Sequence, residues 1–521
     1  MTGNSGRDAT LPFAGAGSGL LAALDKLAAL ADNRLVLWAT VLALTSLFWL
    51  TSRLPMADLP QHAGQVSLWR DVLLSTSPWS DRLWINLGTP YLVGYALALP
   101  LAMVLPVGVA LSIVMSCAFV AFVGSFVALR KELGGDPRLD WLGLPSFFGL
   151  AWQWGFYPFV VLAPLVFVFV LICYRHVAAP TFATALGLSG VGLIMLFGHG
   201  LTFIFAFVVG GALVLVSSRS VRQFIRLGIP FALLASAFLL FFLASRAFGT
   251  PAQNDGLITG FFPLMRLSVM FAMSHGFGQE LAVASAALFL IPIVLGLELD
   301  KRSAVPFAVL AAWIMLMPHG AMGTGYFFER FGMFSLPFYL VMWRRPTGIS
   351  APARIGQSAS LVAMVLVTWA SFALMAHRIQ SFGREVADFE TVLAAAEPGK
   401  RAMGIKTDYS SPAAAHSFMY LHFATWYQVD KRGLVDFNFA QIHNLVVRYK
   451  PEHLPAVGLN FEWQSHNVDW HRHRARDYDY YFVRHGQRAI PPQLVANGEC
   501  SIDAVASSGA WTLLKRGACK N

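Results

Sequence analysis

The sequence predicts an all-α polytopic membrane protein of about eleven transmembrane helices, followed by a C-terminal soluble α+β domain. Three observations lead there. Charged residues make up 13% of the 521 residues, against 56% hydrophobic ones. A soluble domain carries about 25% charge, so a water-facing surface cannot be built from this composition. Mean hydropathy is +0.58, and the solvent that suits such a chain is a bilayer. The charges are also uneven: 17 Lys and Arg and 14 Asp and Glu fall in 377–521, leaving 21 and 14 for the part before it. Three regions follow: a cytoplasmic N-terminal segment over 1–34, a membrane body over 35–376 and a soluble region over 377–521. The net charge of +10 then carries no nucleic-acid meaning. In a membrane protein the position of the cations sets orientation instead.

The elements follow in order. Residues 1–33 are small and polar, without the basic start and cleavage site of a signal peptide. Residues 20–30 suit a short amphipathic helix on the membrane surface. Apolar runs then fall at 35–51, 107–129, 139–154, 156–174, 181–199, 200–217, 229–247, 281–298, 303–318, 331–343 and 357–376. The stretch 90–106 carries Pro90, Pro100 and Pro106, which suits a broken or re-entrant segment rather than a crossing. With the N-terminus cytoplasmic, the cytoplasmic loops hold Arg130, Lys131, Arg138, Arg175, Arg219, Arg222, Arg226, Lys301, Arg302, Arg344, Arg345 and Arg354. The outer loops hold fewer cations, as the positive-inside rule asks. The long loops 53–106 and 248–280 then lie outside with the soluble region, which marks the working face. The short cytoplasmic loops suit a bacterial inner membrane with a periplasmic C-terminal domain. In the soluble region, 479–484 and 511–516 read as strands of a small mixed domain.

The polar residues at the outer face carry the chemistry. Asp58-Leu59-Pro60-Gln61-His62 lies just past the first span. Pro60 suits a helix start, and Asp58 is either its N-cap or a reactive carboxylate. On a helix, residues 58 and 62 point roughly the same way, and a carboxylate beside an imidazole can handle a proton. The stretch 64–83, with Trp69 and Trp79, reads as a helix along the membrane interface. A second group is Pro318-His319-Gly320, followed by Gly325-Tyr326-Phe327-Phe328-Glu329-Arg330-Phe331. The guanidinium of Arg330 offers a planar fork suited to phosphate. A third is Arg266, His275 and Glu280 in the long loop, and His199 stands alone at a tight helical turn. Any one of these is as well read as an interfacial anchor that reaches for water; as a cluster they favour a site for a phosphate and a proton acceptor.

Cys117 and Cys173 sit in apolar runs and read as small inert hydrophobes. Cys500 and Cys519 form a disulfide in an oxidising compartment or remain two thiols. Trp426, Tyr427, Trp463 and Trp470 either stack on sugars or fill a core. The run Trp470-His471-Arg472-His473-Arg474 places two His on one side of a strand but supplies no zinc set. No P-loop, GxGxxG or HExxH is present, so energy comes from the substrate or an ion gradient.

The layout resembles the integral-membrane glycosyltransferases of the C-type (GT-C) superfamily. The resemblance rests on an acidic residue early in the first outer loop, here Asp58, many spans, a late outer segment ending in Arg330 and a soluble outer tail. It spans nearly the whole chain. The better-known branches often carry an Asp-Asp or Asp-Glu pair in that loop; here Ala57 precedes Asp58. The resemblance implies inverting transfer of a sugar from a polyprenyl-phosphate carrier to a glycan, lipid or protein acceptor. Asp58 would be the base, with His62 beside it. Arg330, Arg266, His199, His275 and His319 would stabilise the leaving phosphate. Some branches use a metal; Asp58 and Glu329 are the only hard oxygen ligands in view, so no cofactor is expected. Two other classes stay open: a secondary transporter or flippase of a lipid-linked or anionic substrate, and a non-catalytic polysaccharide-assembly protein. A transporter would show internal repeats, and none is evident.

Overall fold

The computed structural model describes residues 14–248, 260, 262–273, 281–321, 324–346 and 351–520. Five helices among these residues are long and apolar enough to cross a bilayer: Val107–Glu132, Tyr157–Ala178, Gly200–Ser217, Val221–Ser245 and Ser358–Ala394. A sixth span arises if Ala22–Ala31 and Arg34–Trp49, bent by 62°, act as one. Each boundary has a local cause. Arg130 and Lys131 close the last turn of the first of these helices, where cations offset exposed carbonyls. Thr181 and Thr184 form a reciprocal capping box that starts Phe182–Gly198. His199, extended at φ −162°, separates that helix from Gly200–Ser217 and turns the pair into a hairpin.

Three of the apolar runs are not single helices. Residues 139–154 break into Asp140–Gly143, Leu144–Phe148 and Leu150–Trp154. Pro145 and the extended Gly149 interrupt them. Trp141, Leu142, Leu144, Phe147, Phe148 and Trp152 are all buried. The run 331–343 is likewise a short 3₁₀ turn, Glu329–Phe334, and a stub, Ser335–Leu340. Residues 281–298 hold only Ala282–Ala287, Leu288–Leu290 and Ile291–Val294. Hydropathy registers burial, and it reads a protein core and a lipid contact alike. The re-entrant reading of 90–106 corresponds to a short helix, Leu92–Ala102, containing Pro100.

At the end of the body far from Asp58, Asp140 is fully buried and takes a bidentate pair of bonds from Arg130 at 2.9 and 2.7 Å. Arg34 reaches the same carboxylate at 2.5 Å. Removing one partner from a buried ion pair strands the other. Asp140→Ala should therefore destabilise the body by about 3 kcal/mol or more, read as a fall in the detergent-solubilised unfolding temperature.

The boundary at 376/377 falls inside one continuous helix, Ala351–Ala394. The charge rises along that helix rather than at a linker. Beyond it lies a five-stranded sheet. Its strands, in the order β5-β4-β7-β9-β8, are β4 (Arg401–Lys406), β5 (Leu434–Val435), β7 (Tyr480–Arg484), β8 (Cys500–Ser508) and β9 (Trp511–Cys519). β5, β4 and β7 run parallel, and β9 pairs antiparallel with β7 and β8. Cys500 and Cys519 face each other across β8 and β9 and are disulfide-bonded. Trp470–Arg474 is a turn, not a strand, so its two His are not set on a sheet face. Two further pairs are small. β2 (Glu298–Leu299) meets β3 (Trp343–Arg344), and β1 (Leu83–Ile85) meets β6 (Val447–Tyr449).

The β1–β6 pair is where the first loop and the C-terminal region become one structure. Helix Leu59–Leu73 lies beneath it and is buried along most of its length. It is not a helix resting on a lipid surface. Gln65 mimics a strand, donating to the Val447 carbonyl at 3.0 Å and accepting from its amide at 2.8 Å. Gly64 lets helix Thr425–Lys431 approach; a Cβ there would stand 2.9 Å from Gln428 and Thr425. Arg53 donates to Glu390 at 2.8 Å, pairs with Asp430 and lies 4.2 Å over Trp426.

Candidate functional site

Asp58 is placed by backbone. Its amide donates to the Trp154 carbonyl at 2.8 Å, and that of Ala57 to Gln153 at 3.1 Å. Gly155 makes this approach possible. It sits at φ +80°, and a Cβ there would lie 2.8 Å from the Asp58 nitrogen. Asp58 occupies the N-cap position of helix Leu59–Leu73, yet its side chain makes no capping bond. The carboxylate is thus released from the structural duty that its position suggests, and it keeps 15% exposure.

The ring against its carboxylate is not that of His62, although the His62 amide donates to the Asp58 carbonyl at 3.2 Å. The His62 Nδ1 meets the Tyr95 hydroxyl at 2.6 Å. The contact to Asp58 comes instead from His422, whose Nε2 lies 3.3 Å from Oδ1. His422 is oriented by a chain of bonds. The Phe439 amide donates to Gln61 Oε1 at 2.9 Å, which fixes the amide flip. Gln61 Nε2 then donates to the Phe437 carbonyl and faces His422 Nδ1, each at 3.3 Å. Nδ1 is therefore the accepting nitrogen, and the protonated Nε2 faces the carboxylate.

Asp58, His62 and His422 line one cavity with Tyr91, His199, Tyr326 and Arg330. Its volume is about 760 Å³, within the ~300–1,000 Å³ range of ligand sites. Arg330 forms the cationic wall. It donates to Tyr326 O at 2.8 Å and Gly325 O at 2.7 Å, and Nη1 faces His199 Nε2 at 3.4 Å. Its guanidinium stacks 4.2 Å over Phe156. Because arginine only donates, His199 Nε2 must accept. Three of five guanidinium N–H groups are used by these contacts, and two remain for a ligand.

The other expected residues are placed elsewhere. Arg266 is buried and donates to the carbonyls of Met317 at 2.9 Å and Gly260 at 3.1 Å, with Phe328 under its guanidinium. His319 pairs with the buried Glu329. None of these three lines the cavity. His275 and Glu280 lie outside the described residues. Glu329 pairs with His319, and among the described residues no three His, Cys, Asp or Glu side chains converge.

No family model matches the sequence, and no curated protein does. Among solved structures, the fold matches the apo crystal structure of ArnT from Cupriavidus metallidurans with a TM-score of 0.51 at 11% identity. The match covers 96% of this chain and 98% of that one. The chain has the GT-C fold. A crystal structure of the same ArnT bound to undecaprenyl phosphate aligns with a TM-score of 0.43 at 12% identity, covering 92% of this chain and 97% of that one. Within this GT-C fold the cavity is lined from the first loop, Trp154, Phe156, Pro158, His199, Ala321, the 324–330 segment and the 421–463 segment. His422 was not legible in sequence because 364 positions separate it from Asp58 and no local motif joins them.

Two His that feel the charge of Asp58, His62 buried and His416 half-buried, give the site an acid limit. Burial lowers His62 and His416 to about 4, against the attraction of Asp58. A His held below its ordinary value of about 6.5 stabilises the fold above that value and loses the contribution as pH falls. Each accounts for about 3 kcal/mol between pH ~6.5 and ~4. The unfolding temperature should fall steeply across that window, and His62→Gln should flatten the slope. An unchanged slope would show that His62 is not held neutral.

Proposed function

We propose that the protein is a membrane glycosyltransferase. It moves a sugar from a polyprenyl-phosphate carrier to a glycan, lipid or protein acceptor on the extracytoplasmic side. The observation that carries this reading is that one cavity is lined by both a carboxylate and a cation. Asp58, free of capping duty, and the Arg330–His199 pair all line it. The GT-C fold supports it.

In the reaction, an acceptor hydroxyl oxygen attacks the anomeric carbon and forms the new glycosidic bond. The bond from that carbon to the carrier phosphate breaks, and its electron pair leaves with the phosphate. Asp58 takes the hydroxyl proton. The two remaining N–H groups of Arg330 meet the charge that develops on the leaving oxygen. Trp154 and Tyr326, with ring centroids 4.5 Å apart, line the same cavity.

The deciding test uses purified protein in nanodiscs with a panel of polyprenyl-phosphate sugars. Release of polyprenyl phosphate coupled to sugar transfer is the expected result. No turnover of any donor, with transport of one across proteoliposomes, would overturn the reading.

A further inference from the structure

The cavity extends past Asp58 into a wall made wholly by the C-terminal region, including Gln441, Asn444, Arg448, Glu462 and Trp463. The reaction above gives this wall no task. Glu462 is 6% exposed, and its Oε2 meets no hydrogen-bond partner among the described residues. Asn444 Oδ1 is in the same condition, although the Asn444 backbone carbonyl accepts from Thr89. A buried polar atom without a partner carries a desolvation cost. A ligand that brings donors offsets it. Trp463 stands next to Glu462 in sequence and also lines the cavity. Its ring packs beside Phe418 at 5.1 Å and Trp154 at 6.3 Å, so an aromatic surface lines the same cavity as the two acceptor residues.

Donor-seeking oxygens and an aromatic surface in one cavity match the chemistry of a sugar. Hydroxyls supply the donors, and the C–H face of the ring covers the aromatic. A phosphate would match poorly, because it brings acceptors to a carboxylate. Arg448, stacked 5.1 Å from the Trp84 ring on the same wall, is the cation there that would favour it.

We infer that this wall is a glycoside-binding subsite, in which Glu462 and Asn444 accept hydrogen bonds from sugar hydroxyls and Trp463 supports the ring. Naming that glycoside as the acceptor rests on the transfer reading above; its binding does not. The acceptor class is then a hydroxyl-bearing sugar rather than a phosphate or a peptide.

The test is binding of small probes to the full-length protein in nanodiscs without donor, followed by saturation-transfer NMR. Methyl glucoside, methyl mannoside and methyl arabinofuranoside are the neutral probes, and glucose 1-phosphate is the anionic one. At least one neutral glycoside should bind. Glu462→Ala should weaken it about tenfold or more, and Glu462→Gln, which keeps one accepting oxygen, should recover part of the loss. Asn444→Ala and Trp463→Leu should each weaken the same probe, and they carry the test if Glu462→Ala fails to fold. Three results would overturn the subsite: no neutral glycoside binds, glucose 1-phosphate binds in preference, or all folded variants bind as the wild type does. Glycoside binding without transfer from any donor would sink the transfer reading and leave the subsite standing. Transfer that is indifferent to Glu462, Asn444 and Trp463 would leave the transfer reading standing and overturn the naming of the bound glycoside as the acceptor.

Discussion

Asp58→Asn should lower the rate of sugar transfer by about 10²- to 10⁴-fold, the usual range for loss of a positioned general base. The substitution is nearly isosteric. Its amide oxygen can still face the Nε2 of His422, 3.3 Å from Oδ1 in the native site. The backbone bonds that place residue 58 on Trp154 do not involve the side chain. The unfolding temperature and the donor KM should therefore change little, while kcat collapses. Asp58→Ala, by contrast, also removes the partner of His422 and should cost stability. Transfer at the wild-type rate in the Asn variant would show that another group takes the proton.

Arg330→Ala should cost about 10²- to 10³-fold in kcat, as removal of a donor to a developing anion does. The loss should exceed any change in donor KM, because the charge on the leaving oxygen grows toward the transition state. Arg330→Lys should recover only part. An ammonium cannot hold Tyr326 O and Gly325 O while still presenting two N–H groups to a ligand. Equal activity of the Lys variant would reduce the role of Arg330 to that of a point charge. A larger effect on KM than on kcat would place it in ground-state binding instead.

The sequence disclosed the class of fold because bilayer hydrocarbon enforces long apolar helices. Val107–Glu132 and Gly200–Ser217 are the clear cases. It failed where apolar character came from protein rather than lipid, as in the broken segment around Pro145 and Gly149. Asp58 and Arg330 stood out because each is an ion in an apolar setting, and both line the cavity. Arg266 met the same criterion yet is spent on backbone carbonyls. The sign of a charge does not reveal what it bonds to. His62 was expected beside Asp58 on helical spacing alone, but Tyr95 lies closer to its ring nitrogen. His422 and Glu462 were out of reach for a different reason. They arrive by the docking of the 421–463 segment on the first loop, and β1–β6 pairing carries no signature in either strand alone.

The continuous helix Ala351–Ala394 has a geometric corollary. With 44 residues and a rise of about 1.5 Å each, it is a rod of roughly 65 Å that begins in the apolar body and ends at the sheet. Such a rod is a ruler. One residue inserted near Arg384 would turn the sheet by about 100° and lift it by ~1.5 Å, pulling His422 away from Asp58. Four inserted residues would bring the angle back to within about 40° while leaving the sheet ~6 Å too high. The phase of that helix, as much as any side chain, decides whether the two halves of the cavity meet.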